Sequence, residues 1–231
     1  SHIMPVVIYL HGNSSSRLEG MKMAPHLLKL NINIFVFDFS GSGLSEGEYI
    51  SLGHYEKEDV QTVVDFVQKL PGVGSIGLWG RSMGAATALL YGLTDNRIKC
   101  MVVDSPFSEF RLLTKQLCKN YKSIPFWLVD FAFIFIKKSI LSRNGLDIDT
   151  LNPIEVAKFS NLPCFFLHAM SDELIPLEHS VKLYEEYGCP MKSLNVCEGG
   201  HNSKRKKHTI YVEFIMIILA YLKQIQIIVK L

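Results

Sequence analysis

Ser75-Ile76-Gly77-Leu78-Trp79-Gly80-Arg81-Ser82-Met83-Gly84-Ala85-Ala86 places a Gly-x-Ser-x-Gly pentapeptide between two patterns. A short apolar run of strand character precedes it. A helix-forming run through Ala88, Leu89 and Leu90 follows. Strand, sharp turn and helix form the shape that lifts a serine hydroxyl clear of its own backbone. A Cβ at Gly80 or Gly84 would collide with the neighbouring strand and helix as the chain doubles back. The helix behind the turn aims its N-terminal N–H groups at any negative charge that develops near Ser82. Alone, the pentapeptide is also compatible with an ordinary glycine-rich turn. Its placement is what makes Ser82 a candidate nucleophile.

Outward from this stretch, the chain alternates strand and helix patterns. Pro5-Val6-Val7-Ile8-Tyr9-Leu10 is a continuous apolar, β-branched run, as a strand covered on both faces requires. It ends in the polar cluster His11-Gly12-Asn13-Ser14-Ser15-Ser16. Helix is expected over 25–30, opened by Pro25, and strand over 34–39. The glycine-rich loop 40–47 lacks the lysine of a phosphate-binding loop, and no helix pattern starts behind it. Val60, Val63, Val64, Phe66, Val67 and Leu70 recur at helical spacing until Pro71-Gly72 stops them. Further strands are expected over 97–103, 161–168 and 191–196, and helices over 177–187 and 208–229. Residues 109–147 carry no strand pattern and read as a helical insertion.

Six strand-and-helix repeats predict an α/β fold: a mostly parallel, doubly wound sheet of about six strands with helices on both faces. We expect a single domain over 4–231, with Ser1-His2-Ile3 a remnant of cloning. Ligands of such sheets bind beyond the carboxyl ends of the strands. The polar clusters at His11, Ser82, Asp104, Asp172 and His201 all follow strands, so they should meet on one edge.

Composition limits the function classes. The chain has 231 residues, 48% hydrophobic and 20% charged, enough for a sizeable core. A net charge of +2 is no argument for nucleic acid. Cys100, Cys118, Cys164, Cys189 and Cys197 are odd in number and scattered, which suits reduced, buried thiols. With no secretory leader pattern, this points to a cytoplasmic setting. The apolar segments 124–136 and 214–222 are too short or interrupted to span a membrane.

A serine hydroxyl needs a base to take its proton, and the base needs an anion to fix its tautomer. His201, behind Gly199-Gly200, is the candidate base. Asp172 is the candidate acid, with Asp104 as the competitor. His11 is expected to brace its loop and His168 to be a satisfied core histidine, while His26, His54, His179 and His208 read as surface residues. Met83 N–H and Asn13 N–H are the candidate oxyanion donors, with Ser14 an alternative to Asn13.

His11-Gly12-Asn13, Gly80-Arg81-Ser82-Met83-Gly84, His168-Ala169-Met170-Ser171-Asp172 and Gly199-Gly200-His201 together resemble the α/β-hydrolase superfamily, in its order Ser…Asp…His. Asp38-Phe39-Ser40-Gly41-Ser42-Gly43-Leu44-Ser45 and Val103-Asp104-Ser105-Pro106-Phe107-Ser108 resemble the branch with acyl-protein thioesterase and depalmitoylase relatives. The resemblance implies a serine hydrolase that needs no cofactor or metal and takes a small-molecule or acyl-protein ester. Members usually carry two strands ahead of the His-Gly strand. Here the sheet should start at the family's third strand. The insertion 109–147 stands where the superfamily builds its cap. Its aromatic stretch 126–135 could line an acyl pocket or pack into the core. Lys204-Arg205-Lys206-Lys207 could face an acidic substrate or a peripheral membrane contact, or could be a solvated helix start. A peptidase, or a non-catalytic binding protein on the same fold, is the alternative function.

Overall fold

A computed structural model describes the backbone of residues 3–119 and 126–205, and the side chains of 3–118 and 131–205. The helix expected over 208–229, the apolar segment 214–222, His208, Lys206 and Lys207 lie outside the described residues.

Six parallel strands form one sheet: β1 Met4–Leu10, β2 Asn33–Val36, β3 Val73–Arg81, β4 Ile98–Asp104, β5 Cys164–Ala169 and β6 Lys192–Cys197. Their order across the sheet is β2-β1-β3-β4-β5-β6. The order reverses between β1 and β3, and the polar loops behind both strands lie at that point, where α/β sheets bind ligands. All five pairings are parallel, in keeping with strands joined by helical crossovers.

Alternation along the strands separates two apolar layers. From β1, Val6, Ile8 and Leu10 enter one layer together with Val60, Val64 and Val67 of α3 (Glu56–Val67) and Ala85, Ala88 and Leu89 of α4 (Met83–Gly92). Val7 and Tyr9 enter the other, with Trp79, Val102, Phe165 and Leu27 of α2 (Ala24–Leu28), the helix that follows α1 (Arg17–Met21). Each fully buried side chain of this size contributes about 1.5–3 kcal/mol. Helix α4 is buried nearly all round, which explains its run of alanines and glycines.

Strand β2 stops three residues short of the expected end. Beyond Val36 the backbone leaves β1: Phe39 N–H donates to His11 Nε2 at 3.1 Å, and Asp38 turns to meet Arg17. Burial raises the Asp38 carboxyl, but the Arg17 guanidinium and the N–H groups of Arg17 and Leu44 outweigh it and bring its pKa to about 2.

The insertion forms α5 (Phe110–Lys119), α6 (Phe126–Asn144) and a 3₁₀ turn at Ile148–Thr150, followed by α7 (Pro153–Ala157), which the sequence pattern does not show. Phe133 is 6% exposed and packs with Phe107, Leu113, Ile175 and Ala86 of the first turn of α4. The insertion therefore sits over the carboxyl edge of the sheet. Phe131 is 55% exposed, and Ile134, Phe135 and Ile136 are exposed as well. Of the described rings in the aromatic stretch, then, one belongs to a core and two to the surface. No described helix is long and apolar enough to cross a membrane. The five cysteines are free; Cys100, Cys164 and Cys189 are buried, whereas Cys118 and Cys197 are only partly so. Burial pushes the Cys100 thiol up to about 12, which keeps it inert.

Candidate active site

Ser82 lies between β3 and α4 at φ 52° and ψ −115°, a conformation that costs about 1–3 kcal/mol in a non-glycine residue. Neighbours hold it there. Ser82 N–H donates to Asp104 O at 2.8 Å, and Ala85 and Ala86 N–H donate to Ser82 O at 3.0 Å. A Cβ at Gly80 would stand 2.2 Å from Gly84 O, and one at Gly84 would stand 2.0 Å from Leu10 O. Both glycines are therefore demanded by close backbone contact.

His201 Nε2 lies 3.1 Å from Ser82 Oγ, and its Nδ1 lies 2.7 Å from Asp172 Oδ2. A carboxylate only accepts, so Nδ1 carries the proton and Nε2 is left to accept from the Ser82 hydroxyl. The other Asp172 oxygen accepts from Leu174 N–H at 3.1 Å and Ile175 N–H at 2.8 Å. Burial alone would raise the Asp172 carboxyl. The hydrogen bonds from His201 and Ile175 outweigh it and hold the group below the usual range. The structure thus brings together Ser82, His201 and Asp172, which stand far apart in the chain.

Asp104 does not reach His201. Its carboxylate is buried against Arg205, whose Nε and Nη2 donate to both oxygens at 2.9–3.1 Å. Arg205 also donates to Gly200 O and Ser203 O at 3.1 Å. At 6% exposure it is neither a basic rim nor a solvated helix start, so both expectations for this residue are corrected. Only Lys204 of the described basic run is exposed.

The loop after β1 runs against the serine. A Cβ built on Gly12 would stand 3.6 Å from Ser82 Cβ. Among the described residues, neither Asn13 N–H nor Met83 N–H meets a hydrogen-bond acceptor. His11 braces this loop as expected: Nε2 accepts from Phe39 N–H, and Nδ1–H donates to Gly12 O at 2.8 Å. His168 is a satisfied core histidine, bonded to Ser180 Oγ and Ile175 O. Among the described residues no group of three His, Cys, Asp or Glu side chains could hold a metal ion.

His179 departs from expectation. It is fully buried on α8 (Glu178–Glu186), where Nδ1 accepts from Ser108 N–H at 3.1 Å and Nε2–H donates to Gln116 Oε1 at 2.8 Å. Burial, aided by His168 and Lys182, lowers its pKa from 6.5 to about 4. The unfolded chain therefore takes up a proton between these values that the folded chain refuses. Stability should fall as pH drops through that window, by about 2 kcal/mol at pH 5 relative to pH 7. Urea melts of wild type and His179→Gln at both pH values check this, the variant losing that part of the slope.

The profile of the alpha/beta hydrolase fold family matches residues 5–124, more than half of the chain. The chain belongs to that family. It is 31% identical to an uncharacterised protein of Bacillus subtilis over 90% of this chain and 70% of the relative. It is 28% identical to a lysophosphatidylserine lipase of Danio rerio, over 83% of this chain and 49% of that one. The chain thus spans only about half the length of the lipase. Of solved structures, an esterase of Pyrococcus furiosus aligns with a TM-score of 0.73 at 26% identity, covering 94% of this chain and 84% of its own.

Proposed function

We propose that this alpha/beta hydrolase is a serine hydrolase that cleaves carboxylic esters or thioesters through an acyl-enzyme. The observation that carries this is the hydrogen-bonded line Ser82–His201–Asp172 at the elbow, with the N–H groups of Met83 and Asn13 near it meeting no acceptor among the described residues. Ser82 Oγ attacks the carbonyl carbon as its proton passes to His201 Nε2. Asp172 stabilises the imidazolium and fixes its orientation. The N–H groups of Met83 and Asn13 receive the oxyanion, each worth about 3–4 kcal/mol in the transition state. His201 then protonates the leaving alcohol or thiol, which departs and leaves the acyl group on Ser82. Water, deprotonated by His201, attacks the acyl-enzyme, and collapse of the second tetrahedral intermediate returns the proton to Ser82. The named activities of the Danio rerio lipase and the Pyrococcus furiosus esterase support an ester as the bond cleaved.

An acyl-chain-length series of p-nitrophenyl esters and matched thioesters and amides tests this. Burst kinetics with esters and thioesters, and amides at least about 100-fold slower, are the expected result. Amide turnover at ester rates would indicate a peptidase. No turnover and no burst with any of them would indicate a binding protein.

A further inference from the structure

Arg81 is the residue ahead of Ser82 inside the pentapeptide, and no step of the proposed chemistry uses its charge. Its side chain is nonetheless tightly held. Nη1 donates to Glu19 Oε1 at 2.6 Å, and Nη2 donates to His201 O at 2.9 Å and Asn202 Oδ1 at 3.0 Å. The second Glu19 oxygen, Oε2, accepts from Gly12 N–H at 3.0 Å. Both side chains are largely shielded from water, at 21% exposure for Arg81 and 12% for Glu19. Burial raises the Glu19 carboxyl, but Arg81 and the Gly12 N–H outweigh it and lower its pKa, so Glu19 is an anion near neutral pH.

One carboxylate and one guanidinium therefore bridge the three segments that carry the site. Gly12 immediately precedes Asn13, Arg81 immediately precedes Ser82, and the third anchor is the carbonyl of His201 itself. Gly12 has no Cβ to restrict it, so its conformation depends on what its polar groups meet. Glu19 holds its N–H, and His11 holds its carbonyl. That carbonyl shares a peptide plane with Asn13 N–H, so fixing the one directs the other. At the far end, a bond to the backbone of His201 limits the drift of the imidazole from Ser82, where a displacement of about 1 Å is costly in rate.

We propose that Glu19 and Arg81 form one positioning relay that keeps the Gly12–Asn13 loop and His201 in register with Ser82. The proposal rests on Ser82 and His201 acting as assigned above. The Asp104–Arg205 pair reaches the same carbonyl, Arg205 Nη2 donating to His201 O at 3.3 Å, but its other bonds go to Gly200 O, Ser203 O and Ser105 Oγ rather than to the Gly12–Asn13 loop, which among the described residues the relay alone ties to His201.

The test uses p-nitrophenyl butyrate with wild type, Arg81→Ala, Arg81→Lys, Glu19→Ala, Glu19→Gln and the Glu19→Ala/Arg81→Ala double variant. We expect each alanine variant to lose at least about tenfold in kcat with KM within about twofold, because the ground state does not need the register. The double variant should be no worse than the poorer single one, because the two residues act as a unit. Arg81→Lys should recover part of the loss. Glu19→Gln, which keeps the shape, should lose kcat as well, and it decides the matter if an alanine variant does not fold. Multiplicative losses, a KM effect with kcat intact, or wild-type rates would overturn the relay. In parallel, the low-field proton resonance of His201 Nδ1–H is recorded for each folded variant. A shift or broadening in Arg81→Lys or Glu19→Gln supports the relay, and an unchanged resonance overturns it. This second readout does not depend on turnover. If wild type hydrolyses no ester and takes up no fluorophosphonate, the assigned chemistry fails, while the resonance still decides whether Glu19 and Arg81 hold His201.

Discussion

Ser82→Ala is expected to reduce ester hydrolysis by a factor of roughly a million and to abolish labelling by a fluorophosphonate. Both losses follow from a single atom. Oγ is the group that attacks, and it is the group from which His201 Nε2, 3.1 Å away, takes a proton. The folded state should stay about level, since alanine keeps the Cβ that strains φ 52° and, among the described residues, the hydroxyl bonds His201 alone. Thermal melts alongside the kinetics separate the two effects: activity should vanish while Tm stays within a few degrees. Wild-type labelling of Ser82→Ala would move the nucleophile elsewhere and remove the basis of the mechanism.

The two aspartates at strand ends should fail in opposite ways. Asp172→Asn is expected to lower kcat by about 10⁴-fold with little change in fold stability, because an amide facing Nδ1 favours the wrong imidazole tautomer. Asp104→Asn should leave much of kcat but destabilise the fold by about 3 kcal/mol, because the buried Arg205 guanidinium loses its counter-charge. In a chain of this size that is a fall in Tm of about 10 °C. Paired melts and pH–rate profiles of the two variants check it. A reversed ranking, with Asp104→Asn the slower enzyme and Asp172→Asn the less stable protein, would reassign the acid.

The positions of the six strands were legible because their signals are local. An apolar β-branched run, a turn cluster behind it and a helical period after that are properties of neighbouring residues. The order of Ser82, Asp172 and His201, each just behind a strand, carried the candidate site in the same way. Parallel pairing places strand carboxyl ends together, so residues that follow strands converge without any knowledge of side-chain packing. Gly80 and Gly84 were legible for a related reason, as close backbone approach leaves glycine as the residue that fits.

Other features had no local signal. The pattern around Arg205 is a run of basic residues, and it reads as surface. Its partner Asp104 lies 101 residues away and meets it only where two loops close over the sheet. His179 has the setting of a surface helix residue, and it is buried because Ser108, in the loop behind β4, and Gln116 of the insertion cover it. The choice between Asp104 and Asp172 belongs to the same class, as does the division of the aromatic stretch between buried Phe133 and exposed Phe131 and Phe135. By itself, then, the sequence determined the α/β architecture, the order of the strands along the chain, and Ser82 and His201 as two members of the hydrogen-bonded line. The tertiary structure alone decided which charges are paired, which histidine is buried, and that Glu19 and Arg81 bridge the loops of the site. The physical reason is range: periodicity and turn chemistry act over a few residues, whereas an ion pair or a buried side chain is set only when distant segments meet.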